Sequence, residues 1–160
     1  MRLAIDPGRD TGWALLAADG KLVDCGLGDP RPARTRLPAS SSSVVIERPQ
    51  IYQGRMSKAD PNDIITLAIL VGRYTEHFDF FGVEHILPHT WKGTVDPDVL
   101  CHRIVKSLPE DERALLVGVL TPLARTPLEG KGLVAGKRHN VIDAVGLAKW
   151  SIKRARAGVF

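Results

Sequence analysis

The chain has 160 residues, 44% hydrophobic and 25% charged, with a formal net charge of +4 and a pI near 9.3. That length and balance suit one folded domain, residues 1–160, with a real core. No apolar run is long enough to span a bilayer, and the chain opens on strand-like residues rather than a secretory leader pattern. Cys25 and Cys101 have no metal-type spacing and nothing asks for a disulfide, so a reducing cytosol is the expected compartment. The basicity mildly favours a polyanionic partner without establishing one. It concentrates in Arg31 to Arg36, Arg55 to Lys58, and from Lys131 onward.

In chain order, "RLAID" reads as a short buried strand, and "PGRDTG" as a turn whose glycines allow positive φ. "WALLAA" is a second strand. Asp19-Gly20 is a hairpin signal, and "KLVDCG" returns as a third strand, giving an antiparallel meander. Residues 29–43 read as a loop. "SVVIE" is too short for a helix and fits a fourth strand in the sheet interior. "QIYQGRMSKA" is a polar, basic loop. Asp60 then predicts a helix start, with Pro61 at the first helical position and Asp63 in the first turn. Ile64, Leu67, Ala68 and Val71 continue it as an apolar stripe. "VEHIL" is a fifth strand ended by Pro88. "DVLCHRIVKSL" and "EDERALLVGVL" are short helices separated by Pro109. "TPLARTPLEGKGLVAGKR" is a basic loop. The last helix starts near His139 or Asn140 and runs towards Arg154. This order describes an α/β layer on a mixed sheet, with a right-handed parallel crossover between strands four and five.

Three carboxylates sit in apolar settings: Asp6 and Glu47 at the ends of strand-like runs, and Asp143 in the last helix. Carboxylates are costly to bury alone. Three of them on core-type elements point to one shared partner, and a hard divalent cation such as Mg²⁺ is the natural one. Each acid also has a plainer reading. Asp6 suits a turn start and Glu47 a solvent-facing strand end. Asp143 suits a capping box with Asn140 as N-cap. Gly146 costs helix stability, roughly 1 kcal/mol relative to Ala. Close packing of the last helix on the sheet beside Asp143 would explain it.

The segments "AIDPGRDTGWAL", "VVIERPQIY", "DPNDIITLAILVGR", "WKG" (Trp91 to Gly93) and "HNVIDAVGLAKW" together resemble the RNase H-like nucleases. The resemblance is to RuvC-type Holliday junction resolvases, nearer still to phage-encoded ones. It implies an α/β RNase H-like fold, with a mixed five-stranded sheet in order 3-2-1-4-5, strand 2 antiparallel, flanked by helices. It implies Asp6, Glu47 and Asp143 as catalytic, metal-binding carboxylates holding two Mg²⁺ ions, with Mn²⁺ able to substitute. A fourth ligand three residues before the last acid falls here on Asn140, and His139 stands one residue earlier. Asn140 could lend a carbonyl oxygen, or His139 could ligate or activate water, and the two stay open.

The same resemblance implies Mg²⁺-dependent in-line hydrolysis of branched DNA and a homodimer, with no membrane partner, in the cytoplasm of a bacterial or phage-infected cell. Arg55, Lys58, Lys92, Lys131, Lys137 and Arg138 are candidate phosphate contacts. Each is also readable as ordinary surface charge. Tyr52 is either a base-stacking side chain or a loop anchor. Trp91 reads as a packing residue with a bonded indole N–H. Three other functions compete. An actin-like phosphotransfer protein would share the first hairpin but needs two domains. A non-cleaving DNA-structure binder would suit Asn140. An RNA–DNA hybrid nuclease is the third.

Overall fold

The computed structural model describes residues 1–50, 60–123 and 138–158. The first three apolar runs form β1 (Arg2–Asp6), β2 (Gly12–Leu16) and β3 (Leu22–Leu27), an antiparallel meander. Gly20 takes φ 84° in the β2–β3 turn, a conformation that favours glycine. β4 (Ser43–Glu47) lies parallel to β1, and β5 (Val83–Ile86) parallel to β4. The sheet order is β3-β2-β1-β4-β5, the expected one. A 3₁₀ turn over Arg31–Arg36 is the ordered element between β3 and β4, where the sequence reads as loop.

The two-residue period of a strand divides the core into two layers. Leu3, Ile5, Leu15, Val44 and Ile46 face one side, under α1 (Pro61–Phe78). Ala4, Ala14, Leu16 and Val45 face the other, under α5 (Arg138–Arg156), with α3 (Pro97–Ser107) and α4 (Glu110–Leu120) beside it. Ala4, Ala14, Ala144 and Ala148 are all fully buried, and such small side chains let α5 lie close on β1 and β2. Between β5 and α3 the chain makes one short helix, α2 (Pro88–Lys92), which the sequence reading did not foresee.

Asp60 caps α1 as expected, its side chain accepting from Asn62 N at 2.8 Å. The expected apolar stripe is only partly core. Of the expected residues Val71 is buried, Ile64 and Leu67 are half-buried and Ala68 is exposed. Tyr74 and Phe78 continue the buried side, while Ile65 and Ile69 are 58% and 54% exposed. The N-terminal half of α1 therefore stands clear of the sheet. Two further expectations are corrected. Neither Gly8 nor Gly12 has positive φ. Gly12 is required by close approach instead: a Cβ there would lie 2.0 Å from the Asn140 carbonyl oxygen. Gly146 faces Trp91 of α2 and Ile104 of α3 rather than the sheet, and a Cβ would come within 2.9 and 2.5 Å of them. Cys25 and Cys101 are free and buried, and burial pushes both thiols up to about 12. Among the described residues no helix is long and apolar enough to cross a membrane.

Candidate functional site

β1 and β4 run parallel, with Ile5 opposite Ile46. Asp6 and Glu47 are each the next residue, at the same end of adjacent strands. Alternation gives Asp6 the side of Ala4, and Glu47 the side of Val45, which is the face under α5. Asp143 enters from the second turn of α5. The ends of β1 and β4 and the second turn of α5 thus bring the three acids near enough for the Glu47 and Asp143 charges to act on Asp6.

The residue that ties them together is Lys92. Its Nζ donates to Glu47 Oε1 at 3.1 Å and to Asp143 Oδ2 at 2.9 Å. Trp91 Nε1 donates to the other oxygen of Glu47, Oε2, at 2.6 Å. The "WKG" segment accounts for this arrangement residue by residue. Trp91 aims Glu47 and Lys92 joins Glu47 to Asp143. Gly93 ends α2 at φ 62°, its N–H returning to His89 O at 3.1 Å. A left-handed residue directly after Lys92 stops the helix so that both side chains point back at the sheet edge.

The electrostatics follow from this crowding. Burial, then the neighbouring Glu47 charge, raises the Asp6 carboxyl well above the ordinary range; Lys92 opposes the shift and Asp143 adds to it. Burial also raises Glu47, while Lys92 and the Trp91 indole pull it back. For Lys92, burial alone would lower the pKa, but Asp143, Asp6 and Glu47 together outweigh it and raise it. The ammonium is thus held charged between acids that repel one another.

The turn linking β1 and β2 is fixed from two sides. Thr11 is buried, its hydroxyl donating to Gly8 O at 3.1 Å and lying 3.2 Å from the Tyr74 hydroxyl of α1. Asn140 Nδ2 donates to the Asp10 carbonyl. This corrects the capping-box reading: α5 begins at Arg138, so Asn140 lies inside its first turn. The amide nitrogen of Asn140 serves the β1–β2 turn. His139 lies half-buried in the same turn of the helix.

Of the residues expected to face DNA, Lys92 is instead engaged with Glu47 and Asp143. Arg138 opens α5 fully buried, not on the surface. Tyr52, Arg55, Lys58, Lys131 and Lys137 lie outside the described residues. The sequence reading gave Trp91 its bonded indole but not its partner, and gave Lys92 no place in the acid cluster. The adjacency of Trp91 and Lys92 before a glycine was the available signal.

The donor set suits a hard cation in kind, since carboxylate oxygens are what Mg²⁺ and Mn²⁺ prefer. Glu47 Oε1 and Asp143 Oδ2 already converge on one cationic centre, the Lys92 ammonium. Among the described residues, no three His, Cys, Asp or Glu side chains are gathered tightly enough to hold a metal ion. The cluster is spaced around Lys92.

No protein-family model and no curated protein sequence matches the chain. Solved structures do. A Thermus thermophilus RuvC in complex with a Holliday junction substrate aligns over 98% of this chain and 97% of its own, with a TM-score of 0.51 and 14% identity. A second T. thermophilus RuvC structure aligns over the same shares, with a TM-score of 0.41 and 16% identity. The chain has the five-stranded mixed-sheet RuvC fold, of the RNase H-like type.

Proposed function

We propose that the protein is a divalent-metal-dependent endonuclease that hydrolyses phosphodiesters in branched DNA, resolving Holliday junctions. The observation that supports this reading is the gathering of Asp6, Glu47 and Asp143 at the ends of two parallel strands, with Glu47 and Asp143 both bonded to the Lys92 ammonium. Divalent ions, when bound, supply positive charge for a phosphate under attack and lower the pKa of water. Asp6, Glu47 and Asp143 are the residues that would hold them. Trp91 keeps one Glu47 oxygen fixed and so leaves the other aimed into the cluster. Thr11 and Asn140 hold the turn that follows Asp6, which keeps that acid in register with Glu47.

In this reading residues 1–160 act as one nuclease domain in the cytoplasm of a bacterial or phage-infected cell. A resolvase must cut two symmetry-related strands, which calls for a twofold dimer. The exposed Ile65 and Ile69 on the free half of α1 suit such an interface. Tyr52, Arg55, Lys58, Lys131 and Lys137 remain the proposed DNA contacts. His139 is kept as a proposed catalytic side chain beside Asp143.

The test is loss of cutting without loss of binding. Glu47→Gln and Asp143→Asn should each abolish cleavage of a four-way junction in Mg²⁺ or Mn²⁺ while retaining junction binding. Full activity in either variant removes that acid from the assignment. A second reading, a junction binder that does not cut, is favoured by Asn140, whose amide nitrogen serves Asp10 where an acidic ligand would be expected. Tight junction binding with no cutting by the native protein would select it.

A further inference from the structure

We propose that Lys92 is a built-in occupant of the carboxylate cluster, which a divalent cation must displace from Glu47 and Asp143 in order to bind. The identity of the competing ligand rests on the nuclease reading above; the competition itself rests on geometry.

Nζ lies within hydrogen-bond distance of Glu47 Oε1 and Asp143 Oδ2 at once. These oxygens come from different elements, β4 and α5, so a point shared by both exists only where the strand end and the helix meet. Any hard cation using the same two oxygens must enter the same space. An ammonium and a divalent ion placed together there would repel strongly, because the cluster is poorly screened by water. One of them has to leave.

Lys92 is built to be the one that leaves. Its side chain is 22% exposed, against 11% and 12% for Glu47 and Asp143. It is also the last residue of α2, so its flexible stem can swing outward without unwinding a helix behind it. Trp91 is anchored separately, with its indole N–H on Glu47 Oε2 and its ring against the Gly146 position of α5. The two neighbours therefore divide the work. Trp91 can hold Glu47 in place whether or not Lys92 is bound. Lys92 neutralises the acids when no metal is there, and so lets them be assembled before the ion arrives.

The experiment is Mn²⁺ binding to DNA-free protein, followed by the electron paramagnetic resonance signal of free Mn²⁺, for the native protein and Lys92→Met. Methionine keeps an unbranched side chain and removes the charge. The expected result is roughly tenfold tighter Mn²⁺ binding, equivalent to about 1.4 kcal/mol. In EDTA, Lys92→Met should melt below the native protein, and saturating Mn²⁺ should raise its melting temperature more. Unchanged or weaker Mn²⁺ affinity overturns the proposal, because a purely structural lysine would leave affinity alone or reduce it. Should Lys92→Met not fold without metal, Lys92→Gln retains a hydrogen-bond donor without the charge. It should also bind Mn²⁺ more tightly than the native protein, and equal affinity overturns the proposal. Tighter binding in these variants, together with a native protein that cuts no DNA, would keep the competition and refute the nuclease reading instead.

Discussion

Gly12→Ala is the substitution that probes the architecture of the site most sharply. Gly12 has ordinary negative φ, so alanine meets no conformational objection there and would normally stiffen the unfolded chain to slight advantage. The objection is spatial. The new Cβ would lie 2.0 Å from the Asn140 carbonyl oxygen, 2.2 Å from its carbonyl carbon and 2.8 Å from Val141 N. Ordinary contact begins near 3.4 Å, so the first turn of α5 must retreat by about 1.4 Å, the difference between the two distances. All three obstacles are backbone atoms, and none can rotate aside. Overpacking of this kind costs about 1–3 kcal/mol. The same retreat breaks the Asn140–Asp10 hydrogen bond, a further 0.5–1.5 kcal/mol or so. Together these give roughly 2–4 kcal/mol, a large share of a small domain's stability. Asp143 lies three residues beyond Asn140 and would move with the helix, so cleavage should fall more than stability alone explains. Urea denaturation followed by far-UV circular dichroism measures the first effect, and cleavage of folded protein the second. A Gly12→Ala protein as stable and as active as the native one would refute the close contact between α5 and β2.

Three other outcomes follow from the same geometry. Trp91→Phe keeps a ring but loses the 2.6 Å bond to Glu47 Oε2, which should cost about 1.5–3 kcal/mol in urea denaturation because the acceptor is charged. Asp6→Asn should be more stable than the native protein in metal-free buffer near neutral pH. Burial first, and Glu47 next, raise the Asp6 pKa on folding, so its ionised form weakens folding above the ordinary carboxylate range; thermal melts should show the gain vanish as pH falls below that range. Asn140→Asp replaces a donor to the Asp10 carbonyl with an acceptor and should destabilise the metal-free protein by about 1–3 kcal/mol, read by thermal denaturation, with no loss if the amide contact is wrong.

The sheet was legible because its signals are local. Short apolar runs, the Asp19-Gly20 hairpin and the β-branched run before Glu47 each specify a strand without reference to the rest of the chain. The Asp60-Pro61 start of α1 was read correctly. The matching Asp96-Pro97 pair, whose aspartate accepts from Asp98 N and Val99 N to open α3, carries the same chemistry and was passed over. What escaped the sequence depends on approach between distant segments. Gly12 looked like a turn glycine, because nothing local announces that Asn140, far along the chain, will rest on it. Asn140 looked like an N-cap for the same reason. Ile64, Leu67, Ala68 and Val71 have the spacing of a buried stripe, but only the built sheet shows that Val71 alone of the four is fully covered. Lys92 looked like surface charge, since a lysine reveals its partner only after the strand ends and α5 are assembled around it.

Junction-selective cutting is decided by the cleavage of three substrates by the native protein in Mg²⁺ and in Mn²⁺: a four-way junction, a linear duplex of the same sequence, and an RNA–DNA hybrid. Metal-dependent, paired nicks in the junction are expected, with little cutting of the duplex or hybrid at the same enzyme concentration. Equal cutting of all three, or junction binding with no cutting in either metal, would contradict that expectation.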